Sequence, residues 1–285
     1  MSIINECLLV ELNISSWSGR KLDRKVTAET NTAKGACRDA SRTNKNLFAG
    51  SDRLEKINNM VSGTRAEFYN MTPPWSASGQ RVLPFTKSFD FIDWVGKKEQ
   101  EFKTEVNQFL TEYRNLISAQ AFRLGAMFDA SEYPSVADLQ GKFKFSYVIS
   151  PMPQAGDFRI DAQNHAVAEV QKQMKAQYEA AVKERLEYAM QDAWTRLYET
   201  VSHLRDKCGK ETKVFRESTL DNATELCALL THLNITQDKD LEDRRRELES
   251  AINGVNIEGL RKDDAVKTEV AEKMQSILNK MDSFI

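Results

Sequence analysis

Cysteine, histidine and proline are scarce: four, three and six in 285 residues. Cys7, Cys37, Cys208 and Cys227 form no C-x-x-C pair and are too few and scattered for a disulfide scaffold. His165, His203 and His232 sit in no spacing that gathers the four ligands of a structural zinc site; His203 and Cys208 share one predicted helix and read as ordinary packed or exposed side chains. The phosphate loop G-x-x-x-x-G-K-[ST], the dinucleotide fingerprint G-x-G-x-x-G, the nucleophile elbow G-x-S-x-G and the zinc helix H-E-x-x-H are all missing. A Cys–His pair that meets only in space has no local support. Acidic pairs such as Glu184 and Glu187 fall on a polar helix face, where they serve solubility. The expectation is no catalytic residue, no metal, no cofactor and no enzyme.

Long apolar runs are missing too. Nothing approaches the roughly 20 residues that span a bilayer, and the run Cys7 to Val10 is too short, and lacks the basic lead-in, for a signal peptide. No repeat of about 20–50 residues appears. The expectation is a soluble cytoplasmic protein. Charge of one sign is also lacking: 40 basic against 42 acidic residues leave −2, which argues against a wholly basic coat protein and against an acidic tail.

What is present is helical periodicity. Residues 88–128 repeat apolar side chains every seven, through Val95, Phe102, Phe109 and Leu116, and again through Leu110, Ile117 and Leu124. Residues 163–208 carry a seam of Leu186, Met190, Ala193, Leu197, Val201, Leu204 and Cys208, advancing by threes and fours, with Gly209 at its end. Ser51 precedes a helix over 52–70 with Leu54, Ile57, Val61 and Phe68 on one side. Shorter helices follow from 212, including a charged one at 238–252, a break at NGVNIEG and an amphipathic one at 263–283.

Period-two alternation occurs twice. Phe143, Phe145, Tyr147 and Ile149 face one way from a strand, which pairs with residues 7–13 of a short strand over 5–14; FRI, just after the SPMPQAGD turn, reads as a short partner strand. TPPWSASGQRVLPF, with its prolines, reads as a loop whose Trp75 and VLPF stretch dock on the core. The fold class is mainly α: a long antiparallel, coiled-coil-like helical hairpin with a small β element at one end and a C-terminal helical bundle. The segments are 1–86, a strand and basic helical region; 87–210, the hairpin with its β-strand insertion at 129–162; and 211–285, the C-terminal helices.

Charge is patterned locally. Arg20 to Arg65 holds eleven basic and five acidic residues, a net of +6. A helix over WSGRKLDRKVTAETNTAKG, ended by Gly35, carries the first of them. Arg20, Lys21, Arg24, Lys25, Arg38, Arg42 and Lys45 are the candidate phosphate contacts, since clustered cations bind nucleic acid through counterion release. The alternative is a solvated face that meets an acidic surface. Arg244, Arg245 and Arg246 are a second possible phosphate contact, but Glu242, Asp243, Glu247 and Glu249 neutralise them, so the run reads as a solvated face.

Several stretches together resemble a known family. They are the strand and P-x-P turn from Phe143 to Asp161, Phe215 to Ser218, Asn222 to Leu226 and the turn Leu233 to Asp238. VELNISSWSGRKLDRKV near the start and Thr72 to Pro84 add to them. The chain resembles a family of uncharacterised phage and prophage proteins, domains of unknown function whose members accompany a MoxR-type AAA+ ATPase and a von Willebrand A-type metal-binding protein. The resemblance implies a protein partner, the ATPase first, in the cytoplasm of a host cell; it implies no reaction. In physical terms its motifs are architectural: Phe215 is an anchor, Asn234 and Asp238 make a turn, and Asp161 is a helix cap. The expected function is a non-enzymatic, homo-oligomeric scaffold acting through protein partners, with a nucleic-acid-binding accessory, a DNA-end or nuclease-blocking protein, as the alternative.

Overall fold

The computed structural model describes residues 6–76, 79–152, 165–209, 215–282 and 284, with backbone alone at 165–169 and 171. Helices dominate, and the strands are few and antiparallel where their register is defined. The chain divides into two compact units, one of residues 12–68 and 90–147, the other of 1–11, 69–89 and 148–285. Strand β1 (Cys7–Ser15) runs through both: Cys7 and Leu9 enter one core, Ile14 the other. The units therefore interleave in sequence, where periodicity and composition suggest three consecutive segments.

In the unit of 12–68 and 90–147, α2 (Arg53–Met71) buries Leu54, Ile57, Val61 and Thr64, and α3 (Ser88–Leu124) buries Phe102, Val106, Phe109 and Tyr113. Their stripes share a core with Leu47, Phe48, Leu139 and Phe143. Phe48 stands edge-on to Trp17, Phe109 and Tyr133 at centroid distances of 5.7, 5.6 and 5.7 Å, the geometry in which a ring's positive edge meets another's negative face. Tyr113 donates to the Pro134 carbonyl at 2.9 Å and Tyr133 to the Leu47 carbonyl at 2.8 Å; burial pushes both phenols up to about 12, so they remain donors at neutral pH. Arg53 grips Glu112 through two 2.9 Å bonds, and Lys56 meets Glu105 at 2.6 Å, so two cations of the basic stretch tie α2 to α3. The short helix α4 (Val136–Gln140), capped by Ser135, leads into β5 (Lys144–Pro151).

In the other unit, β4 (Arg81–Pro84) lies antiparallel to β1, with Cys7 opposite Pro84 and Val10 opposite Arg81. The sheet order is β4-β1-β5. The VLPF stretch, expected as a loop docked on the core, is thus an edge strand as far as Pro84, with Val82 and Leu83 buried as expected, while Phe85 lies in the turn that follows and is exposed. Trp75 is buried as expected. FRI and Asp161 lie outside the described residues. Helix α5 (His165–Gly209) buries its seam from Met190 to Cys208 against α6 (Glu217–Leu233), α7 (Lys239–Ile252) and α9 (Asp264–Met281). A short helix, α8 (Ile257–Lys262), occupies part of the NGVNIEG break, with Asn256 as its cap and Leu260 buried. Phe215 is buried in this core, and its carbonyl accepts from Arg261 at 2.8 Å. The two long helices, α3 beyond its first two residues and α5, belong to different units, and each stripe has its cover within its own unit. No described helix is long and apolar enough to cross a membrane.

Candidate phosphate-binding surface

Residues 20–46 leave the aromatic core of their unit and return to it. β2 (Arg20–Leu22) and β3 (Asn44–Asn46) form the stem, paired from Arg20 opposite Asn46 to Leu22 opposite Asn44, and α1 (Arg24–Ala33) is the outgoing arm. Gly19 sets the entry: its φ is +63°, and a Cβ there would stand 2.4 Å from Leu54 Cδ2. The Leu47 N–H donates to the Gly19 carbonyl at 2.8 Å and closes the stem. The helix runs from Arg24, capped by Asp23, to Ala33, and Arg20–Leu22 before it are strand; the expected helix over WSGRKLDRKVTAETNTAKG stands from Arg24 onward and is corrected over its first seven residues. The reason is local: Asp23 accepts from the Val26 N–H at 3.0 Å, which starts the helix there, and Arg20 to Leu22 find a strand partner.

The excursion is braced by polar groups. Thr27 Oγ1 donates to the Asp23 carbonyl at 2.6 Å and accepts from the Thr43 N–H at 3.0 Å. Buried Asn31 donates to the Arg38 carbonyl at 3.0 Å and accepts from Ser41 Oγ at 2.5 Å. These bonds hold the return loop against α1, so that the excursion keeps one shape although it buries little apolar surface.

Six cations are turned to water. Arg20, Arg24, Lys25, Lys34, Arg38 and Arg42 are exposed, and among the described residues none of their side chains has a hydrogen-bond or ion-pair partner. Glu29 and Asp39 are the exposed carboxylates of the same stretch. Arg24 and Lys25 stand in the first turn of α1, where the positive end of the helix dipole disfavours cations. That placement costs stability and raises the local positive potential. Lys21 is half-exposed and lies 3.9 Å from Glu132. Lys45, expected as a phosphate contact, is corrected to a structural ion: it is 7% exposed, with Nζ 2.6 Å from Glu132 Oε2 and 2.7 Å from the Met127 carbonyl. Register places it beside Lys21 on one face of the stem, and Glu132 and the Met127 carbonyl cover that face at Lys45, which composition does not show.

The second basic run is neutralised as the sequence indicated, but it is not the solvated face expected, because its middle arginine is buried. Arg245 is buried and bonds Glu242 at 2.8 and 2.9 Å and Glu249 at 2.9 Å, Arg246 bonds Glu242 at 2.7 Å, and Arg244 meets Glu247 at 3.0 Å. Hydrogen bonds from Arg245, then Arg246, hold Glu242 down at about 2. Cys7, Cys208 and Cys227 are buried free thiols, and burial pushes Cys7 and Cys227 up to about 11; Cys37 is exposed on the excursion. Among the described residues no three His, Cys, Asp or Glu side chains gather as metal ligands. Comparison of the chain with protein-family models, with curated proteins and with solved structures finds no match.

Proposed function

We propose that the chain is a non-enzymatic interaction protein whose binding element is the excursion of residues 20–46, and that this element meets the phosphate backbone of nucleic acid. One observation carries the reading: six exposed cations without partners, on an element whose polar bracing fixes its shape. A charged surface of this kind attracts polyanions through release of condensed counterions, and it reads phosphate rather than sequence. The test is fluorescence anisotropy with a labelled 20-base-pair duplex at stepped salt. Binding is expected to fall linearly on a log–log plot. Replacing Arg24, Lys25, Arg38 and Arg42 by Ala should make the slope shallower by about 0.9 for each phosphate that the variant no longer neutralises. Equal slopes for the two proteins would overturn the assignment.

A second surface favours a protein partner. Phe85, in the turn that leads into α3, and Phe89, in its first turn, are 57% and 80% exposed. Exposed aromatic pairs are enriched where proteins meet. This supports the scaffold reading through self-association; the resemblance adds a MoxR-type AAA+ ATPase as the partner and the host cytoplasm as the place of action. Size-exclusion chromatography with light scattering, alone and with the ATPase, checks it: Phe89→Ser should dissolve any oligomer or complex built on this surface.

A further inference from the structure

The excursion is fastened at one place by ions. Lys45 on β3 points inward, with Glu132 Oε2 at 2.6 Å, the Met127 carbonyl at 2.7 Å and Asp23 Oδ2 at 3.8 Å. Lys21, opposite it on β2, lies 3.9 Å from the other Glu132 oxygen, so one carboxylate faces both strands of the stem. Asp23 links the cluster to the helix: one of its oxygens faces Lys45 while the other caps the Val26 N–H. The Lys45, Glu132 and Asp23 side chains are 6, 13 and 10% exposed. A cleft of about 580 Å³ lies beside them, between the first turns of α1, with Lys25, Val26 and Glu29, and the 126–130 segment, with Met127 and Phe128.

We infer that the Glu132–Lys45 pair is a clasp that presents the cationic surface, and that Glu132 is a positioning residue for polyanion binding although it carries the wrong charge to touch a phosphate. The inference rests on the proposal that residues 20–46 bind nucleic acid. With the clasp closed, the stem, the Asp23 cap and the first turn of α1 form one ordered unit. With it open, the buried ammonium loses its nearest carboxylate and keeps only the Met127 carbonyl and the more distant Asp23, the stem loosens, and the excursion must be ordered again at each binding event.

The sign of one substitution separates this from simple electrostatics. Glu132→Gln removes a negative charge beside a cationic surface, so a charge-only account requires tighter duplex binding. The clasp requires weaker binding, by several-fold, with the salt slope unchanged because the same phosphates are met. Lys45→Met should likewise weaken binding without altering the slope; a slope shallower by about 0.9 would make Lys45 itself a phosphate ligand and overturn the inference. Hydrogen exchange gives a readout that does not depend on DNA: amides of 24–46 should exchange faster in Glu132→Gln while those of α3 from Phe102 to Tyr113 keep their protection. Glu132→Asp, which keeps the charge on a shorter arm, should fall between wild type and Glu132→Gln in both measurements, and it carries the test if Glu132→Gln loses its melting transition. Duplex binding by Glu132→Gln as tight as wild type, or unchanged exchange over 24–46, overturns the clasp. A wild-type protein with no salt-dependent duplex binding overturns the nucleic-acid reading instead, and the exchange measurement still decides whether Glu132 orders the excursion.

Discussion

Asp238 shows how much one side chain arranges. It caps α7 through the Asp240 and Leu241 N–H groups at 2.9 and 3.3 Å, and its other oxygen accepts from Trp194 Nε1 at 3.1 Å. Asn234 brackets the same turn, donating to the Asp238 carbonyl and accepting from its N–H, both at 2.7 Å. Asp238→Ala should therefore cost about 1–2 kcal/mol, measured by urea unfolding, since it removes a cap and leaves an indole N–H without its acceptor. Glu242 sets a pH dependence. Its folded pKa, about 2, lies below the ordinary 4.5, so its contribution is present above about pH 4.5 and is lost as the pH falls towards 2. Glu242→Gln should lower stability by on the order of 2 kcal/mol at pH 6, and the two unfolding curves should converge near pH 2. A constant difference across that window would contradict the assignment. The roles of Asn234 and Asp238 as turn formers were legible in the sequence because a side-chain-to-backbone bond is local. The role of Lys45 was not, because its partner stands at position 132.

At the scale of the element, periodicity carried the helices. The seam of α5 was readable as a run of threes and fours, and Leu197, Val201 and Leu204 within it are fully buried. Leu197→Ala should cost about 2–5 kcal/mol as a cavity in that core. Phe122→Ser, on an α3 position that is 94% exposed, should leave the melting temperature nearly unchanged. Gly19→Ala tests the entry to the excursion. A positive φ and a 2.4 Å approach to Leu54 both oppose a methyl group there, so a loss of about 1–3 kcal/mol is expected in the same unfolding assay. Short elements were less legible. β2, β3 and β4 have three, three and four residues, too few for alternation to declare itself, and they exist because a partner strand is brought alongside.

At the scale of the whole molecule, net charge and local charge disagree. The chain is slightly acidic, with a calculated isoelectric point near 6.1 and a net charge of −2, while residues 20–46 expose six unpaired cations. Polyanion binding follows the local field within about a Debye length, roughly 8–10 Å at ordinary salt, and not the sum over the chain. The protein should therefore be retained on a heparin column at pH 8, where it is net negative, and elute with moderate salt; the variant lacking Arg24, Lys25, Arg38 and Arg42 should flow through. Retention of that variant at the same salt would locate the polyanion surface elsewhere.

The sequence by itself determined the mainly helical class, the positions of the long helices, the strand at 144–151 and the charge balance of Arg244–Arg246. Each depends on residues within about a turn of one another, or on a period that one segment displays whole. The tertiary structure alone decided which stripe is covered by which elements, that Arg81–Pro84 joins the sheet, that the two units interleave, and that Lys45 is an inward ion while Arg24, Lys25, Arg38 and Arg42 face water. An apolar stripe states that it must be covered without naming its cover, because burial is non-directional. Likewise a lysine's sequence neighbours do not say whether a carboxylate from a distant segment waits on its side of the strand.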